Sequence, residues 1–225
     1  MQYLSQRLAT KSTGTRDGER PRGPVAATQR ERILVATEQL IAERGCAGTT
    51  IEAIVKLAKV SSVTFYEHFE DKEACFVATF DRAVGETRAK LLEAVSPELP
   101  WEEQVREGLG LLLTAIAAKP ARARMCLVEA PMGGAALRAL YEAALDDATA
   151  KLREGRELPT AAGLPETVEE ATVGGLAWLL RERLELERGR GVQELLPRMT
   201  EIALSPYLGG EDGLAAAAPA GSADG

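Results

Sequence analysis

A chain of 225 residues with 45% hydrophobic but only 4% aromatic residues has room for one large domain, or a small domain joined to a larger one. Its core must be aliphatic, and because Ala and Leu favour helix while β-branched and aromatic residues favour strand, the composition predicts an all-α protein. The net charge of −7 excludes a uniformly basic nucleic-acid coat. No run approaches the roughly 18 apolar residues of a membrane span, so no membrane partner is expected, and three cysteines without CxxC spacing suit a reducing cytoplasm.

Residues 1–27 hold Arg7, Lys11, Arg16, Arg20 and Arg22 against Asp17 and Glu19, a local balance of +3, with little apolar periodicity. They read as a flexible basic arm, which either meets DNA or is a solvated tail. Thr28 is placed to cap a first helix carrying Ile33, Ala36, Leu40 and Ile41 at helical spacing, and Gly45 to end it. Thr50 caps a second helix whose inner face is Ile51, Ile54, Val55 and Ala58. Ser61 or Ser62 caps a short third through Phe69, with Phe65 and Phe69 on its core face. A longer helix followed by two short ones with a tight connection is the architecture of a helix-turn-helix unit over 28–72.

Asp71 caps a long helix running to about Val95, where Pro97 and Pro100 break the pattern, and its apolar stripe is Val77, Phe80, Val84, Leu91 and Val95. Further helices follow over Trp101 to Ala118, from Pro120 to near Pro131, from about Gly134 to Leu158, and over 166–188 and 191–207. About nine helices account for the chain, and those over 73–208 make up a larger C-terminal domain. Residues 209–225 are low-complexity and read as a disordered tail.

The positions Ala36, Leu40, Glu43, Gly45, Thr49, Thr50, Ile54, Ala58, Val60, Ser61, Thr64, Tyr66, His68, Phe69, Lys72 and Glu73 resemble, at matching intervals and without insertion, the helix-turn-helix signature of the tetracycline-repressor (TetR) family. The resemblance is confined to this segment; the remainder is similar only in size and helix count. Lys59 stands where the family's turn usually has glycine, and the third helix contains no Lys or Arg. The resemblance implies a dimeric transcriptional regulator, a repressor released from a palindromic operator on double-stranded DNA by a small effector. The alternative is a helical ligand-binding or protein-interaction bundle that has lost DNA binding.

On this reading Ser61, Ser62, Val63 and Thr64 face base edges, since hydroxyls donate or accept and a valine packs on a thymine methyl. Contacts of this kind discriminate weakly, so the operator is expected to be read partly by shape. Tyr66 and His68 would donate to phosphates, with Thr50, Lys59 and Lys72 around them at helix ends. Residues 28–75 carry six Lys/Arg and eight Asp/Glu, so this surface depends on well-placed cations.

His68 is the one histidine in the chain; helix geometry puts Ser61 and Ser62 about two turns from it, and no nucleophile elbow or oxyanion loop is evident, so no catalytic residue is expected. One imidazole and three scattered thiols (Cys46, Cys75, Cys126) make neither a metal site nor a disulfide framework, and no cofactor is implied. The cysteines read as small apolar side chains. The adjacent acids Asp146, Asp147 and Glu169, Glu170 read as solvated. By resemblance, Gly174, Gly175, Leu176, Leu179, Leu195, Leu196, Met199 and Ile202 would form the dimer interface, or else lie in the monomer core. Leu109, Leu112, Met125, Val128, Glu129, Met132, Tyr141 and Trp178 are the effector-pocket candidates, for which plain core is the alternative. Their aliphatic character favours an apolar ligand.

Overall fold

The computed structural model describes residues 23–187 and 189–208, with side chains from Thr28 onward. Most of the basic arm and all of the tail 209–225 lie outside the described residues. Among those described there are nine α-helices and no strand: α1 (Gly23–Gly48), α2 (Ile51–Ala58), α3 (Ser62–His68), α4 (Lys72–Ala94), α5 (Trp101–Ala118), α6 (Pro120–Arg124), α7 (Ala135–Arg153), α8 (Val168–Glu187) and α9 (Leu196–Leu208). The all-α expectation holds, and most helix limits fall within a turn of those read from the sequence.

Two limits differ. α1 begins upstream of Thr28, at Gly23, so Thr28 is inside the helix rather than its cap. The segment from Pro120 is not a uniform helix: α6 passes into a π turn at Met125–Glu129 and a 3₁₀ turn at Ala130–Met132. Pro131 has no N–H to continue an α-helical ladder. Gly45 does interrupt α1, with φ 73° and ψ 170°, a backbone region open essentially to glycine alone.

Burial divides the helices between two cores. The head core joins Ile33, Leu34 and Ile41 of α1 to Ile54 of α2, Phe65 of α3, and Phe76 and Phe80 of α4. It reaches past Lys72 to Ala83 and takes in Met125, Ala130 and Leu137. The α4 stripe is therefore rotated from the expected one: Cys75, Phe76, Thr79, Phe80 and Ala83 are buried, whereas Val77 and Val84 are only half-buried. The body core is built from α5, α8 and α9, with Leu113, Leu184, Met199 and Leu204 fully enclosed. The π turn is the seam, because Met125 belongs to the head core and Val128 to the body core.

Charged side chains cross the same seam. Glu38 of α1 accepts from Arg82 of α4 at 2.9 Å and from Arg122 of α6 at 3.0 Å. Arg122 also pairs with Glu86 at 2.5 Å, and Arg82 with Glu31. Burial pushes the Glu86 carboxyl up, but the hydrogen bond and charge of Arg122, with Arg82 nearby, more than offset it and hold it below the ordinary value. Arg124 donates to the Ala42 carbonyl at 3.1 Å and to Glu129 at 3.1 Å. These bonds orient the head on the body.

Candidate nucleic-acid interface

Three side-chain caps define the head's short helices. Thr50 Oγ1 accepts from Ala53 N at 3.2 Å, Ser61 Oγ from Thr64 N at 3.0 Å, and Asp71 Oδ1 from Ala74 N at 2.7 Å. Each satisfies a helix-terminal N–H that has no partner within its helix. Thr50 and Ser61 are thus structural first, and Ser61 Oγ also lies 3.0 Å from Thr64 Oγ1. The α2 start additionally holds the Glu52 carboxyl below its ordinary value, through its backbone N–H and then the Thr50 hydroxyl.

Phe65 and Phe69 turn inward as expected, 0% and 5% exposed, and this orients the rest of α3. Ser62 is exposed, Val63 is 71% exposed and Tyr66 58% exposed, while Thr64 is half-buried. Val63 and Tyr66, three residues apart, thus stand in water on one face of α3. His68 departs from expectation. It is half-buried with Nε2 enclosed and without a hydrogen-bond partner, so that nitrogen does not face a phosphate. One turn earlier on the helix, Phe65 pulls this side of α3 towards the core.

The cations lie around α3 rather than on it. Lys56 and Lys59 are exposed at the end of α2. Lys72, in the first turn of α4, is held over the Phe76 ring at 5.4 Å, and Arg30 lies over the Phe69 ring at 5.4 Å. Lys59 is left-handed, φ 54° and ψ 48°, and Arg32 bonds to the carbonyls of Ala58 and Lys59. Arg30 and Arg32 were not among the residues singled out from the sequence. The one signal for Arg32 was indirect: a lysine at a position suited to glycine needs support from elsewhere.

The proposed effector residues do not converge on one cavity. Leu109 and Leu112 pack half-buried on the body core with Val128, whereas Met125 is in the head core and Tyr141 packs on it. Glu129 and Met132 line an open groove of about 450 Å³ with Glu43, Arg44 and Arg124, and Met132 is 72% exposed. Trp178 is 58% exposed on α8. The π turn rotates successive side chains differently from the continuous helix assumed in grouping them.

The dimer candidates separate in the same manner. Leu176, Leu179, Leu195 and Met199 are in the body core, and Leu196 and Ile202 are half-buried against it. Gly174 and Gly175 are exposed with open space beyond them. Helical periodicity explains this: residues 174, 175 and 178 share one face of α8, and 176, 179 and 180 another. Glu169 is a plain correction, being fully buried rather than solvated, and it is gripped by Arg156. Among the described residues no group of His, Cys, Asp and Glu could hold a metal, and no helix is long and apolar enough to cross a membrane.

Residues 33–79 match the family of bacterial regulatory proteins described as the tetR family. The chain is 33% identical over 85 residues to the uncharacterized HTH-type transcriptional regulator YhgD of Bacillus subtilis, covering 38% of this chain and 44% of that protein. It is 36% identical over 64 residues to the HTH-type transcriptional repressor NemR of Escherichia coli, covering 28% and 32% respectively. The chain thus spans less than half the length of these curated relatives. Its fold is similar to that of the transcriptional regulator FadR from Bacillus subtilis in complex with stearoyl-CoA, with a TM-score of 0.69, 18% identity, and 78% of this chain and 98% of that one covered. The head thus carries, over residues 33–79, the signature of the tetR family of bacterial regulatory proteins, and the chain around it has a fold similar to that of FadR.

Proposed function

We propose that this protein is a sequence-specific DNA-binding transcriptional regulator that acts as a homodimer and represses until a small, mainly apolar effector releases it. The observation that carries the reading is the outward face of α3, where Ser62, Val63 and Tyr66 stand in water beside a turn bearing Lys59 and a helix start bearing Lys72. The N-terminal end of such a helix fits the major groove, with the flanking lysines on phosphates. Repression is supported by the likeness to NemR, which is named a repressor. The aliphatic body and the likeness to a regulator crystallised with stearoyl-CoA make a long-chain acyl thioester the first effector to try. The outer face of α8, with Gly174, Gly175 and Trp178, is the proposed two-fold contact, and a two-fold dimer fits an operator of two inverted half-sites.

Selection of duplexes from a random pool by the full-length protein, with a salt titration on the winning sequence, tests this. The expected result is a palindromic site whose affinity falls steeply with salt as phosphate contacts release counterions. Absence of enrichment at low salt overturns the reading in favour of a helical ligand-binding bundle without DNA affinity. The acyl thioester is then added to the complex, and the expectation is release.

A further inference from the structure

Lys59 is the sole non-glycine residue with positive φ among those described. It occupies the left-handed position where α2 closes: its N–H donates to Lys56 O at 3.3 Å and the next N–H, of Val60, to Val55 O at 3.1 Å. This is the Schellman pattern, in which that position normally belongs to glycine because a Cβ crowds the backbone there. The turn it makes is the connection between α2 and α3, so any relaxation of Lys59 would re-aim the helix that carries Val63 and Tyr66.

The carbonyls of Ala58, the last residue of α2, and of the capping Lys59 lie at the end of the helix that bears partial negative charge. Both are met by a single side chain from another helix. Arg32 Nη2 donates to Lys59 O at 2.5 Å and also to Ala58 O. Arg32 is anchored by its neighbour Ile33, fully buried in the head core. A guanidinium is permanently charged and presents several donors in a planar fork, which an ammonium does not.

We propose that Arg32 is a positioning residue for the recognition helix: its guanidinium clamps the left-handed turn at Lys59, which lets a lysine stand at the glycine position and present its ammonium group beside α3. The consequence for DNA rests on the function proposed above, whereas the clamp itself does not.

Four full-length proteins test it: the natural chain, Arg32→Ala, Lys59→Gly, and the double variant. Each is measured for affinity to the selected duplex and for thermal midpoint. Arg32→Ala is expected to weaken duplex binding about tenfold when Lys59 is present, and by less than about twofold when glycine replaces it, since glycine holds the turn unaided. The midpoint should show the same rescue. Arg32→Lys should behave like Arg32→Ala. An equal loss of affinity in both backgrounds would mean that Arg32 acts on DNA directly as a charge, and would overturn the clamp. If the natural chain binds no duplex, the proposed function fails instead. The midpoints then decide the clamp alone: rescue of Arg32→Ala by Lys59→Gly upholds it, and equal losses in both backgrounds overturn it.

Discussion

Arg156 holds Glu169 by two parallel bonds, Nε to Oε1 at 2.6 Å and Nη2 to Oε2 at 2.8 Å, and the carboxylate has no exposed surface. The Tyr207 hydroxyl donates to the same Oε1 at 3.1 Å, which joins α9 to α8 through a buried polar group. The Arg156 bond is the main reason the Glu169 carboxyl sits below its ordinary value, against an opposing push from burial. A carboxyl with a depressed folded value contributes stability that is complete above its unfolded value and is lost as pH falls through the folded one. The thermal midpoint should therefore drop on the acid side of the ordinary glutamate value. Glu169→Gln should lower the midpoint at neutral pH and flatten that acid limb. Arg156→Ala should be worse than Glu169→Gln, because it strands a buried charge. An unchanged acid limb in the Gln variant would show that other carboxyls govern it.

Gly45 has a backbone open essentially to glycine, and a Cβ there would lie 2.8 Å from Glu129 Oε2. Gly45→Ala should cost about 1–3 kcal/mol in urea unfolding. The clash is with the free end of a side chain, so the backbone conformation supplies most of the loss. Combining it with Glu129→Ala should recover only the smaller part.

Ser61 and Ser62 are neighbours with different work. Ser61→Ala removes the α3 cap and should cost about 0.5–2 kcal/mol of stability. Ser62→Ala should leave stability within about 0.5 kcal/mol and, if the α3 face reads DNA, should weaken binding to the selected site more than to random duplex. Reversal of these two outcomes would reverse the assigned roles.

The three thiols are protected by burial. It pushes Cys46 and Cys75 up to about 11 and Cys126 up to about 12, with Glu129 adding to the effect at Cys46 and Glu38 at Cys126. At pH 8 a thiol shifted to about 11 is thiolate in roughly one molecule per thousand, and one shifted to about 12 in roughly one per ten thousand; the thiolate is the nucleophile. Iodoacetamide at pH 8 should label the folded protein at least about tenfold more slowly than the urea-unfolded chain. Since these folded values are raised, the associated stability is whole below the ordinary thiol value and declines as pH climbs towards 11.

Trp178 and the paired glycines beside it give α8 an outer face with one large apolar side chain and open space next to it. Trp178→Glu should convert the proposed dimer to monomer in light scattering after size exclusion. The fold should survive, because the side chain is not part of the body core. A dimer that persists in this variant would move the two-fold contact elsewhere.

Much of the head was determined locally, by signals a sequence displays without its fold. Caps at Thr50, Ser61 and Asp71, a glycine at 45, and the inward phenylalanines of α3 each follow from hydrogen bonding or periodicity within one turn. Tertiary structure alone decided what depended on distant partners. Glu169 reads as a surface acid until Arg156 and Tyr207 are brought to it. The π turn splits Met125 from Val128, which dispersed the expected effector residues. His68 has its Nε2 enclosed because α3 lies against the head core. Lys59 can hold a left-handed turn while Arg32, from α1, bonds to its carbonyl. Helix existence is set by near neighbours along the chain, whereas burial, ion pairing and the aim of a side chain are set by whatever the fold packs against it.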